Sequence, residues 1–159
     1  MNPSEIDRLI PAGAVVIAEP FTSSHEVIRA LSARLLASGH VRASHADAVV
    51  KREVTHPTGL PTEGSFCVAI PHTDPEHVVV PCMAVATLPH AVSFQNMEDP
   101  DEALPVRLVF MLAFTDKDKQ IEALQMVAGM LQSPEVLEKI VSAGDPADIV
   151  DIIKSASGA

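Results

Sequence analysis

The chain has 159 residues, and its 21 Asp and Glu against 11 Lys and Arg give a formal net charge of −10. Nucleic-acid binders usually carry a basic patch or stripe, so this charge argues against DNA or RNA as a partner. With 47% hydrophobic and 20% charged residues, the composition excludes a disordered chain and is typical of one globular domain.

The first 20 residues carry only a weak pattern, a short β-branched run at Val15-Val16-Ile17. We interpret residues 1–20 as a poorly patterned N-terminal lead-in and residues 21–159 as a single domain. The start lacks the basic and apolar segments of a secretory signal, and no apolar run approaches the roughly 18 residues of a membrane-spanning helix. We therefore expect a soluble, cytoplasmic protein with no direct membrane insertion.

Two helices are predicted after the lead-in. Ser23 begins a capping-box spacing, and apolar residues then recur at helical period, which predicts a helix over residues 24–38. A second helix opens at Ser44 and ends before Pro57, which cannot continue it. Arg52 therefore lies near the C-terminus of a helix.

Strands are predicted in the middle of the chain. Three short apolar runs fit strands buried on both faces of a sheet: 66–70, 78–88 and 106–114. Helices must then cover both faces. A helix capped by Thr115 or Asp116 follows the third run, and the chain closes with two short helices. The acidic segment between the second and third strands is interpreted as a solvated loop.

His72 follows the first predicted strand directly. Ligands of α/β sheets collect outside the carboxyl ends of strands, so this position suits a reactive side chain. The Ile70-Pro71 step before it restricts its freedom, and Thr73 with the loop amides can donate hydrogen bonds to an anion. From position alone, a solvated loop histidine remains an open alternative. The histidines outside this stretch are expected to be solvated, and they include His45 and His90.

Other chemistries have weak or no support in the sequence. A zinc site formed by His72, Asp74 and His77 is an alternative, but the pattern His-Glu-x-x-His is absent. No Gly-x-Ser-x-Gly, Walker A or Gly-x-Gly-x-x-Gly segment occurs. Cys67 and Cys82 are expected to be reduced, buried thiols. We expect neither a metal nor a cofactor.

The segment Ala69-Ile70-Pro71-His72, with Arg52-Glu53 and Pro57-Thr58-Gly59-Leu60 upstream, resembles a known family. It is similar to enzyme IIA of the bacterial phosphoenolpyruvate-dependent sugar phosphotransferase system, in the fructose/mannitol superfamily, and most of all to galactitol-type members. The resemblance covers roughly residues 22–155. It implies a three-layer α/β/α sandwich with a central mixed β-sheet flanked by helices.

The resemblance also implies a function. His72 would accept a phosphoryl group from the phosphocarrier HPr and donate it to a cysteine of enzyme IIB, for uptake of a galactitol-like sugar. Arg52 matches the active-site arginine of the family. An arginine beside a neutral imidazole suits phosphoryl transfer, which needs positioning and charge stabilisation. The alternative is a regulatory module whose phosphorylation signals carbon or nitrogen status.

One position departs from part of the family. Mannitol- and fructose-type members carry a second histidine where this chain has Gln120, which can donate a hydrogen bond to phosphate but carries no charge. Gln120 is therefore a supporting contact, together with Thr73. We further expect a shallow apolar docking surface around His72 that uses Leu60, Phe66 or Phe94.

Overall fold

A computed structural model of the chain describes residues 1–157. Within this range the chain forms six α-helices, five β-strands and one 3₁₀ turn, Pro75–His77. The helices and strands in chain order are α1 (Pro3–Leu9), β1 (Val15–Ile17), α2 (Ser24–Ala37), α3 (His45–Thr55), β2 (Gly59–Leu60), β3 (Cys67–Ala69), β4 (Cys82–Gln95), β5 (Ala103–Ala113), α4 (Lys117–Leu131), α5 (Pro134–Ser142) and α6 (Pro146–Ser157).

The five strands form one mixed sheet in the order β1-β4-β5-β3-β2. The pairs β1–β4 and β3–β5 are parallel, whereas β4–β5 and β2–β3 are antiparallel. Two groups of helices pack against this sheet: α2 with α3, and α1 with α4, α5 and α6. The predicted α/β/α architecture with a mixed central sheet is confirmed.

The helix ends follow the predicted signals closely. The Ser23 side chain accepts a hydrogen bond of 3.2 Å from the backbone N–H of Glu26, and α2 ends just before Gly39, whose φ of +79° suits glycine. Asp116 caps α4 by accepting from the backbone N–H of Asp118. No helix among residues 1–157 has the length and apolar character needed to cross a bilayer.

The second predicted strand differs from the observed one. Strand β4 begins at Cys82 rather than at residue 78, because Pro81 has no N–H to donate to a ladder. It then continues to Gln95 across an irregular pairing between Thr87 and Val92. The acidic segment is the connection between β4 and β5.

The first 20 residues, expected to be a weakly patterned lead-in, pack closely on the rest of the chain. Strand β1 pairs with β4, with Val15 opposite Val85, and α1 contacts α6. Ile6 and Val16 are buried. The pattern is weak because a seven-residue helix and a three-residue strand are too short to show a clear period.

The sheet topology brings several chain segments together at one edge of the sheet, the edge at which β3 and β5 end. Because β3 and β5 are parallel, with Ala69 opposite Val109, their carboxyl ends lie together. The backbone N–H of Leu112 donates to the Pro71 carbonyl oxygen at 3.1 Å, which ties the segment after β3 to the end of β5. His72 and the start of α4 therefore follow the same edge of the sheet.

Candidate active site

His72 is a buried residue with a fixed ring orientation. It is 8% exposed, and its Nδ1 lies 2.7 Å from the backbone carbonyl oxygen of Ile70. A carbonyl oxygen only accepts hydrogen bonds, so Nδ1 must carry the proton that is donated. In the neutral ring the free lone pair is then on Nε2, which is the nitrogen available for nucleophilic attack.

The Nε2 atom of His72 is not fully buried. Three side-chain atoms within residues 1–157 are fully buried and lack a hydrogen-bond partner: Nε2 of His45, Nε of Arg52 and Oε1 of Gln120. Nε2 of His72 is not one of them, although the hydrogen bond that this ring makes within residues 1–157 is at Nδ1. Nε2 therefore keeps some contact with solvent.

The surroundings keep His72 neutral. Burial lowers the pKa of His72 below its ordinary value, the hydrogen bond to Ile70 opposes this, the Arg52 guanidinium lowers the pKa further, and the carboxylate of Asp74 raises it. The net direction is downward. At neutral pH the ring is therefore a neutral imidazole with a lone pair, as a nucleophile requires.

Arg52 stands on the last turn of α3, as predicted, and its positive charge acts on His72. Its Nε is buried without a hydrogen-bond partner among residues 1–157. An unpaired buried N–H is costly, so a site that leaves one is prepared for an acceptor from outside the chain. A phosphoryl oxygen is such an acceptor.

Glu53, the residue after Arg52, is a member of the site that sequence reasoning missed. It is 7% exposed, and its carboxylate accepts from both the backbone N–H and the hydroxyl of Thr58, at 2.8 and 2.7 Å. Burial raises the pKa of Glu53, and the two Thr58 hydrogen bonds with the Arg52 charge partly oppose this. The available signal was spacing, since Glu53 lies one helical turn after the buried Val49.

Gly59 allows β2 to lie close to the end of β4. A Cβ placed on Gly59 would lie 2.6 Å from the carbonyl oxygen of Gln95, closer than a side chain tolerates. The Gly59 carbonyl oxygen in turn accepts from the backbone N–H of Met97. Glycine is therefore required at residue 59 by the packing of this edge strand.

The two predicted supporting residues come from two segments, the one after β3 and the start of α4. Thr73 is buried directly after His72. Gln120 is in the first turn of α4, where its Oε1 is buried without a partner among residues 1–157. The edge topology brings the start of α4 toward the His72 segment, but no hydrogen bond within the described part of the chain joins Gln120 to His72.

The sequence model of the family described as "Phosphoenolpyruvate-dependent sugar phosphotransferase system, EIIA 2" matches residues 8–156 of this chain. The chain belongs to this family. EIIA components are phosphotransferase components that carry phosphoryl groups, and this chain is one of them.

Among curated proteins, the galactitol-specific EIIA component of Escherichia coli (strain K12) is 29% identical to this EIIA chain over 122 residues, covering 77% of the chain and 80% of the relative. The crystal structure of IIA mannitol from Escherichia coli matches with a TM-score of 0.74 at 21% identity, covering 91% of this chain and 98% of that one. The complex of enzyme IIAMTL and phosphorylated enzyme IIBMTL from the same organism matches with a TM-score of 0.75 at 20% identity, over 92% and 97%.

Two expectations about the surface of this EIIA chain are wrong. Phe66 and Phe94 are 4% and 1% exposed and belong to the core, so neither forms a docking surface, while Leu60 is half-buried. His45, expected to be solvated, is fully buried, and its Nδ1 lies 2.8 Å from the Ser32 hydroxyl oxygen. In both cases tertiary packing covers a side chain that the local sequence had placed at the surface.

The structure does not support the alternative of a zinc site at His72, Asp74 and His77. Among residues 1–157 no three His, Cys, Asp or Glu side chains are arranged to hold a metal ion. The Nδ1 of His77 instead lies 2.8 Å from the Ser44 hydroxyl oxygen. Cys67 and Cys82 are free, and burial raises the pKa of each thiol, to about 12 for Cys82. Both are therefore poor ligands and poor nucleophiles.

Proposed function

We propose that His72 is the phosphoryl carrier of this EIIA protein, accepting the group from phospho-HPr and passing it to a cysteine of an enzyme IIB, in the cytoplasm. The observation that carries the proposal is the division of roles between the two ring nitrogens. Nδ1 is held by the Ile70 carbonyl oxygen at 2.7 Å, while Nε2 has no hydrogen-bond partner among residues 1–157 and is not fully buried.

The first transfer follows from this tautomer. The Nε2 lone pair of His72 attacks phosphorus in line with the phosphorus–nitrogen bond of the donor phosphohistidine, which breaks and returns its electron pair to the donor ring. The product ring of His72 carries both the phosphoryl group and the proton on Nδ1, and hence a positive charge. The Ile70 carbonyl oxygen stabilises that charge through the existing hydrogen bond.

The second transfer reverses these events. A cysteine thiolate of enzyme IIB attacks phosphorus, the bond from phosphorus to Nε2 breaks, and His72 returns to the neutral form. Throughout, Arg52 would hold the phosphoryl oxygens through its guanidinium, whose Nε has no other partner among residues 1–157. Thr73 and Gln120 would each supply one neutral hydrogen bond.

Two comparisons support the partners and the sugar class. The galactitol-specific EIIA component is the relative with 29% identity over most of both chains, which supports a galactitol-like substrate for the transporter. The mannitol protein of the same fold forms a complex with its phosphorylated enzyme IIB, which supports enzyme IIB as the acceptor.

A reconstituted labelling assay tests the acceptor residue. With labelled phosphoenolpyruvate, enzyme I and HPr, the wild-type protein should gain one acid-labile phosphoryl group, and His72→Ala should gain none. His90→Ala is the matched control, because His90 is exposed on β4 and distant from the site edge. Labelling of the His72→Ala variant at the wild-type rate would contradict the proposal.

A second assay tests the direction of the relay. The phosphorylated protein is mixed with galactitol-type, mannitol-type and fructose-type enzyme IIB, and loss of label from His72 is timed. Faster transfer to the galactitol-type protein is expected. Acceptance of label from HPr with transfer to none of the three would favour the regulatory alternative.

A further inference from the structure

We infer that Glu53 and Thr58 are positioning residues for phosphoryl transfer at His72, acting through the backbone of Ile70. The inference rests on the proposed role of His72. It concerns a chain of hydrogen bonds that begins at a buried carboxylate on α3 and ends at the ring nitrogen opposite the nucleophile.

The first link joins Glu53 to Thr58. One carboxylate oxygen accepts from the Thr58 backbone N–H at 2.8 Å and the other from the Thr58 hydroxyl at 2.7 Å. Both residues are buried, at 7% and 2% exposed. A buried carboxylate is costly unless its oxygens are satisfied, so this bidentate arrangement fixes where residue 58 lies relative to the end of α3.

The second link joins Thr58 to Ile70. The Ile70 backbone N–H donates to the Thr58 carbonyl oxygen at 3.2 Å, and the neighbouring residues Gly59 and Ala69 are paired across β2 and β3. The position of the Thr58 peptide therefore sets the position of the Ile70 backbone.

The third link joins Ile70 to His72. The Ile70 carbonyl oxygen accepts from Nδ1 of His72 at 2.7 Å, and it thereby selects the tautomer with the lone pair on Nε2. A small displacement of this carbonyl both weakens that selection and rotates the nucleophile away from the donor phosphorus. In-line transfer is sensitive to such errors, since a misplacement of about 1 Å can slow a reaction by about 100-fold.

The effect is one of position rather than charge. The charged groups that shift the pKa of His72 are Arg52 and Asp74, and Glu53 is not among them. Glu53 also follows Arg52 on the last turn of α3, so its anchoring holds the backbone that presents the guanidinium.

The experiment compares Glu53→Met with Thr58→Ser. Methionine has about the length of glutamate but no carboxylate oxygen, so both hydrogen bonds to Thr58 are lost. Serine keeps both the hydroxyl and the backbone N–H. Glu26→Met is the matched control, since Glu26 accepts from the Thr22 hydroxyl in an exposed pair at the start of α2. That pair follows the end of β1, where Ile17 pairs with Thr87, away from the Cys82 end of β4.

Two readouts are used. Nitrogen-15 NMR of the unphosphorylated protein reports the His72 tautomer without any partner, and quenched-flow labelling by phospho-HPr reports the transfer rate. In Glu53→Met we expect a measurable population with the proton on Nε2 and a rate that falls roughly 10- to 100-fold. Thr58→Ser is expected to stay within about threefold of wild type, and Glu26→Met to be unchanged.

The inference is overturned if folded Glu53→Met keeps the wild-type tautomer, whatever its transfer rate. Should that variant fail to fold, Thr58→Val removes one of the two bonds with little change of shape, and the same two readouts apply. The NMR result separates this inference from the proposed function. If label persists in His72→Ala, the acceptor assignment fails, while the tautomer shift in Glu53→Met still shows whether Glu53 positions the ring.

Discussion

Two buried histidines of this protein invite comparison, because they share a side chain and a degree of burial but differ at Nε2. His72 uses Nδ1 to donate to a backbone carbonyl oxygen, and its Nε2 is not fully buried. His45 pairs Nδ1 with the Ser32 hydroxyl between α3 and α2, and its Nε2 is buried with no hydrogen-bond partner among residues 1–157.

The difference shows that burial alone does not make a histidine reactive. Burial lowers the pKa of both rings, and at His45 burial, with a smaller contribution from nearby His77, lowers the pKa to about 4. At His72 the neutral ring has a lone pair on Nε2, as the proposed nucleophile requires. At His45 the ring must stay neutral because it is buried in the core, and this requirement affects the stability of the fold.

The largest expected effect separates the two histidines by function. His72→Gln should lower the labelling rate more than about a thousandfold, since glutamine supplies no nucleophilic nitrogen. His45→Gln should label at close to the wild-type rate, because Nε2 of His45 is sealed from partners. Quenched-flow labelling with phospho-HPr measures both rates. A comparable loss of rate in the two variants would contradict the functional difference between His72 and His45.

Arg52 gives the next largest effect. Arg52→Ala should slow labelling by roughly 100-fold, the usual cost of removing one donor that stabilises developing charge. Arg52→Lys should recover only part of the rate, because lysine keeps the charge but lacks the planar pair of donors. Exposed Arg29, which pairs with Asp47 on the surface, provides the control Arg29→Ala. Equal rates for Arg52→Lys and wild type would show that charge alone suffices.

Stability against pH tests the other half of the comparison. Unfolded His45 binds a proton below about pH 6.5, whereas the folded ring stays neutral until about pH 4. The unfolded state therefore binds more protons in this window, and the free energy of unfolding falls as the pH falls from 6.5 to 4. The loss from His45 is on the order of 3 kcal/mol.

His45→Gln isolates this contribution in denaturant titrations between pH 7 and pH 4.5. Its free energy of unfolding should depend less steeply on pH than that of wild type, by up to about 1.4 kcal/mol per pH unit. The comparison with wild type is needed because the lowered pKa of His72 acts in the same direction, and the raised pKa of Glu53 acts in the opposite one. Parallel curves for wild type and His45→Gln would show that His45 does not titrate as described.

The sequence predicted the architecture well because its signals were local. The Ser23 cap, the glycine at residue 39 and the Asp116 cap fixed helix ends through hydrogen bonds within a few residues. His72 and Arg52 were also predicted, by position after a strand and by resemblance to a family, and in the structure the Arg52 guanidinium is near enough to lower the pKa of His72.

The predictions that were wrong or missing concern contacts between segments that are distant in the sequence. The burial of His45 follows from the packing of α3 on α2, and that of Phe94 from the extension of β4 beyond Val92. No local pattern in the sequence predicts the burial of His45 or of Phe94. Glu53 stands beside Arg52 in the sequence, but no local pattern predicts a role for it. Its contacts involve a loop residue, Thr58, and the segment after β3 that Thr58 joins.

The smallest expected effect concerns Gln120, whose buried amide oxygen, like Nε2 of His45, has no hydrogen-bond partner in the described part of the chain. If Gln120 contributes a single neutral hydrogen bond to the phosphoryl group, Gln120→Ala should slow labelling by about three- to tenfold, the usual worth of such a bond. The dependence of stability on pH should not change, because the amide does not titrate. Gln120→His adds a group that titrates near neutral pH, so the labelling rate of that variant should gain a pH dependence that Gln120→Ala lacks. Labelling of Gln120→Ala at the wild-type rate would assign this residue to packing at the start of α4, and would leave Nε2 of His72 and Arg52 as the working groups of the site.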